Sequence, residues 1–312
     1  MPAPGAGGPA RGPRLTGAFR CATASLGRAD TLAGTASTVR AFLLLEHPGG
    51  WGRRVPRDAR LPEGLGERLT ASAAEAGVRV LLVRRHGRTP LPGPRRVFAA
   101  YADPVTPWVE TTEVEDPGRV LDLDLAALGA GRSPGLLPHD GSLLCVCTHG
   151  RHDVCCAERG RPVATAVAAA HPQEAWEVSH IGGDRFAANL LVLPHGLYYG
   201  GLDPASAVAV TGGHLSGQVD LDHLRGRSGL AMPVQAAEVA LRRRLEETRE
   251  DAVRFRRQER DGATTRAWFE VGAATYAVEV RTTHDDEPQR LTCGVDRPSR
   301  IPRHDVVDVH RA

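Results

Sequence analysis

Residues 142–170, "SLLCVCTHGRHDVCCAERGRPVATAVAAA", hold four of the chain's six cysteines, two histidines and an aspartate. The opening "SLLCVCTH" is a short apolar run of strand length. Pro162 suits the first position of a helix, so "PVATAVAAA" reads as a short helix stopped by His171 and Pro172. Strand alternation points Cys145 and Cys147 the same way, with Val146 opposite. Cys155 and Cys156 then fall just before a helix N-terminus, a place that favours thiolate.

Further on, "AWEVSH" reads as a strand, "NLLVLP" and "LYYGG" as a hairpin around "HG", and "DPASAVAV" as a short helix. The order β-α-β-β-β-α is a thioredoxin-like plan, assigned to residues 140–226. Upstream, "VRAFLLLEH", "VRVLLVRR", "RRVFAAY" and "WVETTEVE" are strand candidates. "GLGERLTASAAEAG" is a helix closed by Gly77, and "VLDLDLAALGAG" is a last strand or a short helix. Residues 15–135 therefore form a second α/β unit, a tandem thioredoxin-like copy without cysteines at the equivalent strand end. The Pro- and Gly-bearing "GRSPGLLPHDG" marks the boundary. Residues 227–312 read as a small α+β appendage. Its helix, behind Pro233, puts Val234, Ala237, Leu241 and Leu245 on one face. A hairpin, "AWFEV" then "TYAVEV", and a last strand in "RIPRHDVVDVHRA" follow.

A length of 312 residues suits two or three modules, and 41% hydrophobic residues suffice for real cores. The net charge of +2 gives no general attraction to nucleic acid or anionic membrane. No lysine occurs. Arginines carry all the basic charge, and runs such as Arg242 to Arg244 read as solvated helix faces. The Pro-, Gly- and Ala-rich residues 1–14 lack an apolar core of signal-peptide type and read as a disordered tail. Apolar runs such as "FLLLE" are too short to span a bilayer. The expectation is a cytoplasmic protein, where clustered cysteines point to metal or redox chemistry.

Three chemistries fit the pattern C-x-C-x7-C-C. A structural zinc site uses four ligands, usually in C-x2-C knuckles, which are absent. A dithiol enzyme usually shows C-x-x-C at a helix start, also absent. A [2Fe–2S] cluster takes four ligands, some of which can be histidine. His180 follows a strand and precedes Gly182 and Gly183, a flexible loop able to wrap a cluster.

Three stretches, "CVCTHGRHDVCCAERGRP", "WEVSHIGGDRFAANLLVLPHGLYYG" and "AFLLLEHPGGWG", together resemble the sucraseferredoxin-like family. The resemblance runs from about Cys21 to Cys293. It implies a thioredoxin-like [2Fe–2S] ferredoxin domain and an electron carrier rather than an enzyme with its own substrate, served by donor and acceptor proteins the sequence does not name. No carboxylate pair supports a glycosidase.

The family's ligands, two cysteines and in fungal members two histidines, fall here on Cys147, Cys156 and His180. The second histidine of the family's H-x-G-G-H pattern is Asp184, a departure. Cys155 is the first choice for the fourth ligand because sulfur binds iron better than carboxylate does. Asp184, Cys145, His149 and His152 are the alternatives. Imidazole ligation raises the reduction potential and makes it fall as pH rises. Arg185 is expected to offset cluster charge or to pair at the surface. Gly182 and Gly183 are expected to bring their N–H groups to sulfur. Trp176, Tyr198 and Tyr199 read as core aromatics, Trp51 as a cover at the interface between modules, His195 as exposed. Cys21 and Cys293 read as isolated buried thiols.

Overall fold

The computed structural model describes residues 18–87 and 93–312. The tail expected at 1–14 lies outside the described residues. Helix α1 (Cys21–Gly27) comes first, an element the sequence reading did not contain. The first half then builds β1 (Ala41–Glu46), α2 (Leu65–Glu75), β2 (Val78–Arg84), β3 (Arg95–Tyr101) and β4 (Trp108–Val114). "VLDLDLAALGAG" resolves into the end of a 3-10 turn (Pro117–Asp122) and the short α3 (Leu125–Gly129), followed by β5 (Leu137–Pro138). The second half builds β6 (Leu143–Cys147), α4 (Val154–Ala170), β7 (Ala175–Val178), β8 (Leu190–Leu193), β9 (Leu197–Tyr199), α5 (Pro204–Leu215) and β10 (Leu224–Arg227). Helix α6 (Met232–Leu245) leads into β11 (Val253–Asp261), β12 (Thr264–Val271), β13 (Ala274–His284) and β14 (Pro302–Arg311).

The protein is mixed α/β, with a large mixed sheet and a separate four-stranded one. The large sheet runs β10-β9-β8-β6-β7-β2-β1-β3-β4-β5. One arrangement occurs in it twice. In the first half, β1 pairs parallel with β2 and antiparallel with β3, and β3 pairs antiparallel with β4. In the second half, β6 pairs parallel with β7 and antiparallel with β8, and β8 pairs antiparallel with β9. The halves join where β2 meets β7 antiparallel, Val83 opposite Val178 and Arg84 opposite Glu177.

Strand β1 is buried at all six positions: the apolar run Ala41–Leu45 suits a strand covered on both faces, and the buried Glu46 that ends it accepts a hydrogen bond from the Arg96 N–H. Each of its fully buried large side chains contributes about 1.5–3 kcal/mol. In β6, Cys145 and Cys147 face a core shared by both halves, with Phe42, Phe98 and Trp176. Leu144 and Val146 face the opposite core, with Val163 and Val167 of α4.

Helix α4 corrects the helix expected from Pro162. It begins eight residues earlier, at Val154, with Pro162 inside it. Asp153 is the N-cap and accepts a hydrogen bond from the Cys155 N–H at 2.8 Å. A proline removes only one rung of the helix ladder, and the packed face of α4 outweighs that loss. Cys155 and Cys156 are thus inside the first turn.

Helix α6 lies between the two sheets. Val239 faces the second-half core, while Val234, Ala237 and Leu241 face the four-stranded sheet, with Leu245 partly buried beside them. That sheet is an antiparallel meander, β11-β12-β13-β14. Its first strand, "VRFRRQERD", alternates only at its start, where Val253 is buried and Phe255 partly buried, and the rest is exposed.

Candidate metal centre

Three elements deliver the candidate ligands. Cys147 ends β6, where its N–H donates to the Asn189 carbonyl at 3.0 Å. Asp153 starts α4 and so places Cys156 in the first turn. Gly160 lets the helix lie against the strand: a Cβ there would sit 2.0 Å from the Cys147 carbonyl oxygen. His180 follows β7. Its N–H donates to His149 Nδ1 at 3.2 Å, which makes Nε2 of His149 the protonated nitrogen and the donor to the Gly52 carbonyl at 2.9 Å.

The loop beyond His180 is pinned on both sides. Gly182 and Gly183 have φ of 99° and 78°. A Cβ at Gly182 would meet Ser37 Oγ at 2.4 Å, and one at Gly183 would meet the Arg225 guanidinium at 2.2 Å. Arg225, only 1% exposed, donates to the Gly182 carbonyl, to Asn189 Oδ1 and to the Thr35 carbonyl. Asn189 Nδ2 donates to the Gly183 carbonyl at 2.9 Å.

The outcome is a tight donor set. The sulfurs of Cys147 and Cys156 and a ring nitrogen of His180 all lie within 4.8 Å of one another. His152, His180 and Asp184 satisfy the same limit. The His152 ring stacks on that of His180 with centroids 3.7 Å apart. His180 Nδ1 is 2.9 Å from Asp184 Oδ1. The carboxylate is off the line of the ring N–H, so this buried nitrogen has no aligned hydrogen-bond partner. The Cys156 thiol donates to the same carboxylate at 3.3 Å.

The electrostatics match. Contact with the Cys156 sulfur, helped by the His180 ring, holds Cys147 well below the ordinary thiol range against the effect of burial. That contact and burial push Cys156 up, so the pair shares one negative charge. Burial pulls the His180 imidazole down, but the negative Asp184 carboxylate and Cys147 sulfur beside it prevail and raise it to about 9. Burial pushes Asp184 up, yet the His180 ring beside it keeps its carboxyl below the usual range. Burial lowers both His149 and His152.

The other expected site residues lie elsewhere. Cys155 does not join this group. Its sulfur is 3.5 Å from that of Cys293 and within the same 4.8 Å limit of Cys21 and Asp153. Adjacent helix residues diverge by about 100°, so Cys155 and Cys156 address different surroundings. Cys145 is fully buried in the core, one alternation behind Cys147. Arg185 faces Asp30 at 3.4 Å and stacks over Phe186. The glycines approach Ser37 and Arg225. Trp51 does sit between the halves, under the Arg84 guanidinium and edge-on to His149.

Sequence reasoning missed the supports, Arg225 and Asn189. Asn189 is in "DRFAAN", a stretch quoted for its family likeness but not read for contacts. Arg225 carried no local signal.

Two thiols, an imidazole with a buried unengaged nitrogen and a carboxylate, converging from three elements, are a donor set that fits a metal or an iron–sulfur cluster. Residues 32–226 match the family model for sucrase/ferredoxin-like proteins. Comparison with curated proteins and with solved structures gives no match. The matched span takes in Cys147, Cys156, His180 and Asp184, and it is shorter than the stretch from Cys21 to Cys293 suggested by the motifs. With well over half its length in that match, the chain belongs to the sucrase/ferredoxin-like family.

Proposed function

We propose that Cys147, Cys156, His180 and Asp184 hold a [2Fe–2S] cluster, and that the protein is a one-electron carrier built on two thioredoxin-like halves. The convergence of Cys147, Cys156 and His180 carries this reading. The strand arrangement found twice in the large sheet supports the thioredoxin-like description. Asp184 replaces Cys155 as fourth ligand, because its carboxylate touches both His180 and Cys156. When bound, the cluster supplies reversible uptake of a single electron.

The chain's own residues fix the donors and control access. Arg225 and Asn189 hold the His180 loop, and Asp153 aims the first turn of α4. His152 and His180 border a cavity of about 400 Å³ that is also lined by Arg53, Arg54 and Arg79. That cationic rim suits a redox partner with an acidic face. All six cysteines are free, which suits a reducing, cytoplasmic setting. Among the described residues no helix is long and apolar enough to cross a membrane.

Anaerobic purification with iron and sulfide analysis tests the proposal. The expected protein is red-brown, bleaches with dithionite, and loses its colour in Cys147→Ser and Cys156→Ser. A colourless protein with zinc lost on Cys147→Ser would instead indicate a zinc-stapled interaction module. A colourless, metal-free protein with a reactive Cys147 thiolate would favour a thiol enzyme, the reading that the shared charge of Cys147 and Cys156 otherwise supports.

A further inference from the structure

A second sulfur group lies on the other side of the first turn of α4. Cys21 opens α1, Cys155 is the second residue of α4, and Cys293 sits in the segment between β13 and β14. The Cys293 sulfur is 3.5 Å from Cys155 Sγ and 3.5 Å from Cys21 Sγ, a contact that spans 272 residues. Both carboxylate oxygens of Asp153 lie 3.6 Å from Cys21 Sγ. The four donor atoms are within 4.8 Å of one another.

We propose that Cys21, Cys155, Cys293 and Asp153 form a second, mononuclear metal site that takes zinc and staples three remote segments together. Zinc–sulfur bonds of about 2.3 Å set sulfurs about 3.8 Å apart in a tetrahedron, so the observed separations need only a small adjustment. A disulfide, at about 2.05 Å, needs a much larger movement and leaves the third thiol over.

The surroundings are those of a thiolate site. The Cys21 N–H donates to the Cys293 sulfur at 3.3 Å. Cys155 is at the N-terminus of the 17-residue α4, where the backbone favours negative charge. Asp153 is 2% exposed. It accepts from the N–H groups of Cys155 and Cys293, the Thr292 hydroxyl and the Cys21 thiol. All of these donors are neutral, so a buried carboxylate stands among thiols, and a divalent cation balances it.

The consequence is mechanical. Helix α1 has seven residues and is marginal on its own. Zinc would anchor it, and the loop at 285–301, to the helix turn that carries Cys156. The staple would thereby stiffen the neighbouring centre without supplying a ligand to it.

The test is zinc and iron per chain in the purified full-length protein, with zinc-edge X-ray absorption. One zinc with three sulfurs and one oxygen is expected. It should be lost in Cys293→Ser and Cys21→Ser and kept in Cys147→Ser, while Cys293→Ser keeps any visible chromophore of wild type. Chelator should lower the thermal midpoint of wild type and of Cys147→Ser but not of Cys293→Ser. The proposal is overturned if reduced wild type takes up no zinc, if Cys293→Ser and Cys21→Ser retain it, or if peptide mapping under non-reducing conditions finds Cys155 and Cys293 joined. Loss of iron from Cys147→Ser with zinc retained separates this site from the proposed cluster, so either can fail alone.

Discussion

Cys155 and Cys156 are neighbours in the chain and serve different groups of side chains. Composition made either a candidate ligand; the pitch of α4 separates them. The proposed assignment of Asp184 to the place given to Cys155 yields a prediction. Asp184→His should keep the visible chromophore and raise its potential by on the order of 100 mV, since exchanging two thiolates for two imidazoles moves such clusters from about −400 mV to between about −150 and +300 mV. Protein-film voltammetry reads the shift, and an unchanged potential removes Asp184 from the ligand set. Cys155→Ser should leave that potential where it is.

Among the elements, α4 and α5 carry the clearest consequences. Gly160 is where α4 touches β6. Gly160→Ala favours the helix intrinsically by up to about 1 kcal/mol, but its methyl meets the Cys147 carbonyl. The helix must move off the strand, and iron content should fall severalfold with helicity unchanged by circular dichroism. On α5, His214 is buried, its Nε2 3.3 Å from Ser142 Oγ, with His195, Glu250 and Arg227 as the charged or titratable groups that act on it. Burial, then His195, lower its imidazole to about 4. His195, expected in the open, is half-buried and also lowered. The unfolded chain binds protons on these rings more readily than the folded one. Stability should therefore fall as pH drops from about 6.5 to about 4, by up to about 3 kcal/mol for His214. Urea unfolding at pH 7 and pH 5 measures it, and His214→Gln should flatten the slope.

At the scale of the whole molecule, the join between β2 and β7 decides whether the halves act as one body. Glu177 accepts two hydrogen bonds from Arg84 and one from Thr148, and it contacts His86 at 3.0 Å. Arg84 and Glu177 are both buried. Removing one partner strands a buried charge, so Glu177→Ala should cost about 3–5 kcal/mol in denaturant unfolding. A loss below 1 kcal/mol means that the seam is wetter than it looks.

The sequence by itself determined the central strands, whose apolar runs admit only burial on both faces, and the facing of Cys145 and Cys147, set by the two-residue repeat of a strand. It also held the order of elements that recurs in each half. Such features follow from backbone periodicity over a few residues. The α4 start was locally encoded too, in the Asp153 cap, though Pro162 drew the reading away from it. Only the tertiary structure decided that Arg225 clasps the His180 loop, that β2 and β7 join the halves, and that Cys21, Cys155 and Cys293 meet. Contacts between residues far apart in the chain depend on how whole faces pack, and no local spacing records that.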